Sequence, residues 1–485
     1  MSGEDALLEE LARREQAADE GGGPSRQARH KRLGRMTARE RIAALVDEGS
    51  FGELGRHVKS RHGHASDRLA ANLHPGDGMV CGLAQVGGRP VAVWANDPTV
   101  LRGAIGRQGT VKLCRLLDLA LERGLPVLAL VDSDGMRVEE GTDAVQSLGD
   151  LIVRTLRLRE QGAVQLSLVC GLCVGGAAYN AVLTDFVAMV EQQSFMFVTG
   201  GKVSKEVTGE DRELVDLGAP ELHAKLTGSC HAVVASEAQG VALLKQVLGY
   251  CAPVVPSSDD VQRETAALEK LIPTSERRAY DARKVLAELF DAGTVLELSP
   301  TFAPNLLTAL ARLGGRAVAV VASQPMQLAG CLDVNASRKG AAFVRWAGRL
   351  KLPIITLVDT PGYLPGRQQE EQGILPHGAT LLEAYAYAKV PKMSFILRKS
   401  FGGANVLSFA ADVRLALPMG TIDVMGAEAA LKVVLGPEVT EAQREAWERD
   451  HHTVWAAAES GYVDRVVEPR HARRELWAVL QRLTG

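Results

Sequence analysis

Aromatic residues are scarce in this chain, 5% of 485 residues, and neither sign of charge dominates. Lys and Arg number 55 against 58 Asp and Glu, a net charge of −3, so there is no broad basic footprint for nucleic acid or an anionic membrane. The opening MSGEDALLEELARREQAADEGGG lacks the basic and apolar regions of a secretory signal, and a cytoplasmic protein is expected. An uncharged run from Gln161 to Thr184 is long enough to cross a bilayer. Gln161, Gln165, Ser167, Asn180 and a central Gly-Gly interrupt it, so it reads as a buried strand, a turn and a helix, with no membrane partner. The motifs GxGxxG, GxxxxGKS/T, HExxH and GxSxG are all missing, which removes the usual signals of nucleotide hydrolysis, zinc proteolysis and triad hydrolysis. Seven cysteines, an odd number in apolar surroundings, exclude a disulfide framework. Cys170 and Cys173 have CxxC spacing but no second pair nearby, so they read as core thiols and no metal is expected.

Glycine, by contrast, is abundant, 49 residues or about a tenth of the chain, against an ordinary ~7%. Hydrophobic residues at 46% and charged ones at 23% fit a folded globule. The chain also repeats itself. GGRPVAVWANDP begins at Gly87 and GGRAVAVVASQP at Gly314, 227 residues later, with eight of twelve positions identical. LPVLALVDSDGM at Leu125 pairs with LPIITLVDTPGY at Leu352 in the same register. That register also aligns Ser167, Gly175, Gly176, Ala177 and Asp185 with Ser394, Gly402, Gly403, Ala404 and Asp412. Upstream, LVDEGSFGEL at Leu45 resembles LFDAGTVLEL at Leu289, offset by 244, so the first half gains about 17 residues, placed around RHGHASDRLAANLH. Each half alternates β-branched strands with helices, the pattern of βα units in a mostly parallel sheet. The expected organisation is a helical extension over 1–31, one α/β domain over 32–255, a Pro- and Ser-rich linker over 256–280, and a second α/β domain over 281–485.

In each half a Gly-Gly pair follows a buried strand and precedes a helical pattern, CVGGAAYNAVL at 173–183 and SFGGANVLSFA at 400–410. At such a junction the first N–H groups of the helix point outward with the positive end of its dipole, and the missing Cβ lets a carbonyl oxygen approach. That is oxyanion-hole geometry, in which one donor contributes roughly 3 to 4 kcal/mol to a transition state. Tight helix-sheet packing is the other reading of the same glycines. His451 and His452 fall in a polar helical stretch and read as surface residues, and His223 and His231 stand near glycine turns. The turn Asp132-Ser133-Asp134-Gly135 ends a strand and reads either as a plain Asx turn or as part of a pocket.

These loops resemble the carboxyltransferase (β) subunits of biotin-dependent acyl-CoA carboxylases, of the propionyl-CoA and acetyl-CoA carboxylase type, and related biotin-dependent decarboxylases. The resemblance starts at MTARERIAALVDEGSF (36–51) and runs to the C-terminus. It takes in PGDGMVCG (75–82), NDPTV (96–100), DSDGMRVEEG (132–141), CVGGAAY (173–179) and FVTGGKVSKEVTGE (197–210), then PGYLPG (361–366), HGATLLEAYA (377–386), RKSFGGAN (398–405) and VMGAEAA (424–430). It implies two tandem crotonase-like domains of the ClpP/crotonase type, each a ββα superhelix. It implies transfer of a carboxyl group from carboxybiotin to the α-carbon of an acyl-CoA through a thioester enolate. The hole for the enolate oxygen would fall on Gly175 and Gly176, and that for the biotin ureido oxygen on Gly403 and Ala404. Asp134, Gly135, Met136, Arg137, Tyr179, Asn405 and Val406 would bind substrate. The family works as a hexameric ring with the N-domain of one subunit facing the C-domain of another, so a homohexamer is implied. The sequence shows no biotin-accepting Met-Lys-Met site and no ATP-grasp loop, so biotin would arrive on a separate biotin carboxylase and carrier subunit.

The sequence departs from the family at several pocket positions. The usual DSGGAR is DSDGMR, placing Asp134 and Met136 where Gly and Ala are common, and the loop near Thr99 gains Arg102. The usual Tyr-Asp after the second glycine pair becomes Asn405-Val406, and Pro376 and Thr380 replace Arg and Lys around His-Gly-Ala. Such changes alter pocket shape and polarity, and point to an acyl group other than acetyl or propionyl. Two other activities share the resemblance: an acyl-CoA decarboxylase running the enolate chemistry in reverse, and a non-catalytic scaffold subunit of a carboxylase complex.

Overall fold

The computed structural model describes residues 3–59, 74–252, 254–257, 259–276, 278–436 and 438–485. Residues 61–73, most of the stretch expected to hold the extra residues of the first half, lie outside them. The chain divides into two compact units, Met1–Gly249 and Tyr250–Gly485.

The first unit opens with helices α1 (Gly3–Glu20), α2 (Pro24–Arg32) and α3 (Ala38–Leu45). Thr37 and Glu40 form a capping box that fixes the start of α3. After β1 (Gly52–Glu53), strands β2 (Met79–Val86) and β3 (Arg89–Asn96) form a hairpin. Its two turn residues, Gly87 and Gly88, both have positive φ, which a tight two-residue turn demands. The Asp47 carboxylate accepts both turn N–H groups, at 2.9 and 2.7 Å. There follow α4 (Arg107–Arg123), β4 (Val127–Ser133), α5 (Thr142–Glu160), β5 (Gln165–Val174), α6 (Gly176–Leu183), β6 (Phe186–Val190), β7 (Phe195–Phe197), β8 (Ala232–Val234) and α7 (Glu237–Gly249). The sheet runs β1-β2-β3-β4-β5-β6-β8, with β7 also paired to β5. It is antiparallel up to β3 and parallel beyond. Strand β4 is buried at every position, as a parallel strand covered on both faces must be.

The second unit repeats this plan with α8 (Ala282–Leu289), β9 (Leu296–Leu298), β10 (Leu306–Leu313), β11 (Arg316–Ser323), α9 (Val334–Arg349), β12 (Ile354–Thr360), α10 (Ile374–Tyr387), β13 (Lys392–Phe401), β14 (Val413–Ala416), β15 (Thr421–Asp423), α11 (Glu441–His451), β16 (Arg465–Val466) and α12 (Ala472–Thr484). Its sheet order is β16-β14-β13-β12-β11-β10-β9 with β15 on β13, the mirror listing of the first. Asp291 accepts the Gly314 and Gly315 turn N–H groups at 2.9 and 2.7 Å, repeating the Asp47 contact. The units are thus two tandem α/β domains related by the repeat.

Two segments pack more closely than their composition suggests. The helical extension lies on the first unit, where the Gly22 N–H donates to Thr99 Oγ1 at 3.0 Å. Within 256–280, Leu268, Ile272 and Tyr280 join the core of the second unit, and the Thr265 hydroxyl donates to the Pro469 carbonyl at 2.6 Å. Its Pro, Ser and charged residues mimic a linker, while three apolar side chains carry it inward.

Candidate active site

Strand β5 is followed by Gly175, whose φ of 57° and ψ of −117° suit glycine and strain any other residue. The neighbouring strand β7 accepts the Gly175 N–H at the Phe197 carbonyl, 3.0 Å away. The chain then enters α6, so the N–H groups of Gly176 and Ala177 belong to its first turn and have no acceptor inside the helix. A Cβ on Gly176 would stand 2.6 Å from Leu148 Cδ1, so this glycine lets α5 pass close behind the turn.

The second turn is built differently. Strand β13 ends at Phe401, Gly402 takes a φ of 54°, and Gly402–Asn405 forms a tight 3₁₀ turn rather than an α-helix. Gly403 is exposed, and a Cβ there would make only ordinary contact with the Tyr363 ring at 3.4 Å. Asn405 braces the turn. Its Nδ2 donates to the Ser400 and Gly402 carbonyls at 3.2 and 3.1 Å, and its Oδ1 accepts from the Tyr462 hydroxyl at 3.1 Å and bonds the Ser400 hydroxyl.

Behind each turn lies a buried ion pair. Asp132, at the end of β4, pairs with Arg41 of α3 at 3.0 Å, and Arg41 also binds Glu237 of α7 at 2.8 Å. Asp359, at the end of β12, pairs with Arg398 of β13 at 2.9 Å. Each aspartate also accepts a backbone N–H from the adjacent strand, Leu172 for Asp132 and Lys399 for Asp359. Asp132 thus anchors the strand from inside, while both Asp132 and Asp134 of that turn border a cavity.

A cavity of about 920 Å³ opens where the loop after β4 meets Leu172 of β5. Arg26, Arg29, Arg35 and Arg102 stand on its wall with Asp134 and Met136. Gly135 sits against β5, where a Cβ would come within 3.1 Å of the Val174 carbonyl. Ile105 donates to the Gly135 carbonyl and accepts from the Arg137 N–H, which leaves the Met136 N–H on the side away from Ile105.

Residues 29–484 match the carboxyl transferase domain family. The chain belongs to that family. Among curated relatives, it is 38% identical to a propionyl-CoA carboxylase beta chain of Roseobacter denitrificans, covering 97% of this chain and 95% of that one. It is 37% identical to a methylmalonyl-CoA decarboxylase subunit alpha of Veillonella parvula, over 93% and 91% of the two chains. A solved transcarboxylase 12S structure, described as a hexamer with methylmalonyl-coenzyme A and methylmalonic acid bound, superposes with a TM-score of 0.95 at 36% identity, covering 100% of this chain and 97% of that one.

On this carboxyl transferase chain the expected site residues divide. Gly176 and Gly403 stand at positions whose N–H groups have no acceptor inside their helical turns, whereas the Gly175 N–H is already donated to Phe197 and the N–H of the buried Ala404 is the first i→i+3 donor of its 3₁₀ turn, to Phe401. The free pair in the first turn is therefore Gly176 and Ala177, the register partners of Gly403 and Ala404. The 227-residue offset could have signalled this, because it pairs Ala177 with Ala404. Asp134 and Met136 line the cavity, and Tyr179 is exposed. Arg137 also borders it, but its guanidinium is spent on Asp77 and Glu140, both at 2.7 Å, so it fixes the loop instead of meeting substrate. Asn405 is consumed by its turn and Val406 is buried, so neither is placed to bind substrate in this chain's own unit.

His452 is not the surface residue its polar helix suggested. It is buried against Phe401, with 4.9 Å between ring centres, and Nδ1 meets Asp423 at 3.2 Å. His223 Nε2 contacts the Met196 carbonyl at 2.6 Å, on the strand that holds the first turn. His231 Nδ1 accepts the Val187 N–H at 3.0 Å, and His451 lies tilted against Trp447. Thr380 donates to the Pro376 carbonyl within α10, a local helix contact. Tyr363 was missed, although the offset pairs it with Met136. All seven cysteines are free thiols, and burial raises that of Cys81 to about 11. Among the described residues there is no cluster of metal-ligating side chains and no helix long and apolar enough to cross a membrane.

Proposed function

We propose that this chain transfers a carboxyl group from carboxybiotin, carried by a separate biotin-bearing subunit, to the α-carbon of an acyl-CoA. The observation that carries this reading is the pair of register-equivalent glycine turns, each following a buried strand and each opening on a backbone N–H with no acceptor in its own turn, Gly176 in the first and Gly403 in the second. Loss of the α-proton puts negative charge on the thioester oxygen, and the Gly176 and Ala177 N–H groups would hold it without moving. The α6 dipole adds to the same stabilisation. Carboxybiotin, when bound, supplies the CO2 and a basic ureido nitrogen. The second turn fits such a group, since Gly403 is exposed and the space at its Cα is bounded only by the Tyr363 ring. There the Gly403 N–H would hold the ureido oxygen, with Ala404 beside it in the turn and Asn405 keeping the turn rigid. In this scheme backbone donors do the work, and no side chain transfers a proton.

The first unit would take the acyl-CoA, and the second, whose core includes residues of the segment 256–280, the biotin side. A cytoplasmic homohexamer is proposed with them, supported by the hexameric transcarboxylase 12S relative. The test supplies purified protein with carboxybiotin and a panel of acyl-CoAs, and looks for α-carboxylated product by mass spectrometry. Product from at least one thioester is expected. Release of CO2 from methylmalonyl-CoA with no carboxylated product from any thioester would favour the decarboxylase reading. No reaction in either direction would leave only a scaffold.

A further inference from the structure

We propose that Arg102 is a phosphate ligand for the CoA portion of the substrate, held on Asp134 until that substrate arrives. The proposal rests on the acyl-CoA reading above and adds a residue to it. Arg102 and Asp134 stand side by side on the cavity wall, joined twice: the Asp134 N–H donates to the Arg102 carbonyl at 3.1 Å, and the Arg102 guanidinium bonds the Asp134 carboxylate.

The duplicated fold supplies an internal control. The same turn occurs in the second unit at Leu328 and Ala329, with φ of 48° and 52° against 46° and 54° at Leu101 and Arg102. There the offset pairs Ala329 with Arg102 and Pro361 with Asp134, so no ion pair exists and the turn still forms. The fold does not need the clasp. Stability does not explain it either, because the Arg102 side chain is 78% exposed and exposed pairs contribute little in water.

What remains is the cavity. Arg26, Arg29 and Arg35 share its wall, so an anionic ligand meets a positive field. A guanidinium binds phosphate through two parallel N–H donors, and the Asp134 carboxylate, a quarter of its side chain exposed, can be rehydrated when released. Asp134 would thus act as a counter-ion that the phosphate displaces, keeping Arg102 extended into the opening at little cost.

The experiment is calorimetric titration of the full-length protein with coenzyme A and with pantetheine, which lacks every phosphate, using the wild type, Arg102→Gln, Asp134→Asn and the double variant. Asp134→Asn is isosteric and Arg102→Gln shortens an exposed side chain, and circular dichroism checks that the variants fold. Arg102→Gln is expected to weaken coenzyme A about tenfold, with the gap closing at high salt, and to leave pantetheine unchanged. Asp134→Asn is expected to tighten coenzyme A about threefold, and only while Arg102 is present. Unchanged coenzyme A affinity in Arg102→Gln, or weaker binding in Asp134→Asn, would overturn the proposal and leave the acyl-CoA reading standing. If the wild type binds no coenzyme A, both fall together.

Discussion

The two units solve one problem in two ways. Each ends its second parallel strand in a buried aspartate that holds the strand beside it. In the first unit the counter-charge is Arg41, brought from α3 far back in the chain, and Arg41 must also neutralise Glu237. In the second unit it is Arg398, on the next strand, whose remaining donors go to the Pro273, Ser275 and Arg278 carbonyls. The offset pairs Arg398 with Gly171, where a Cβ would lie 2.2 Å from Asp132 Oδ1. The aspartate in the first unit occupies the space that the arginine's stem takes in the second. A repeat therefore conserves the charge problem and the backbone, while the partner is free to come from elsewhere.

Breaking the counter-ion should show this difference most strongly. Arg41→Met strands two buried carboxylates and Arg398→Met one, so both should cost roughly 3 to 5 kcal/mol with the first the larger. Hydrogen exchange read separately over the two units checks the order, and equal losses would contradict it. Gly171→Ala should cost about 1 to 3 kcal/mol in the first unit by overpacking against Asp132, seen as a lowered thermal midpoint. The glycine turns give the next contrast. Gly175→Ala should strain the backbone by about 1 to 3 kcal/mol and pull its helix N–H groups off line, lowering carboxyl transfer about a hundredfold. Gly403→Ala should leave the midpoint unchanged and cost less than about tenfold in rate. Equal effects would mean the two turns work alike.

The last contrast is a dependence on pH. Lys112 and Lys339 occupy the same place in the two units, Lys112 donating to one carbonyl and Lys339 lying within reach of three. Burial lowers both, and pulls Lys339 to about 7. Between about pH 7 and the ordinary lysine value of 10.5, the unfolded second unit holds a proton that the folded one lacks. Its stability should therefore rise with pH over that window, by linkage. Denaturant midpoints across that range should lose this slope in Lys339→Met.

Much of this was legible in residues. The Gly87-Gly88 and Gly314-Gly315 turns, the strand ends at Asp132 and Asp359 and both glycine pairs are local patterns, and the 227-residue offset ties them together. What stayed hidden depended on three-dimensional neighbours. No pattern in β5 says that the Phe197 carbonyl would take the Gly175 N–H, or that Asp77 and Glu140 would claim Arg137. His452 sits in a helix of polar residues, and only Phe401 and Asp423, far away in sequence, draw it inward.

By itself, then, the sequence determined two copies of one α/β fold and the places where each copy turns on glycine, because turn geometry and strand burial depend on residues next to one another. The tertiary structure alone decided which N–H groups remain free, which arginine answers each buried aspartate and which charges face the cavity. Those outcomes turn on distances of a few ångströms between residues up to about two hundred positions apart, and no local pattern encodes them.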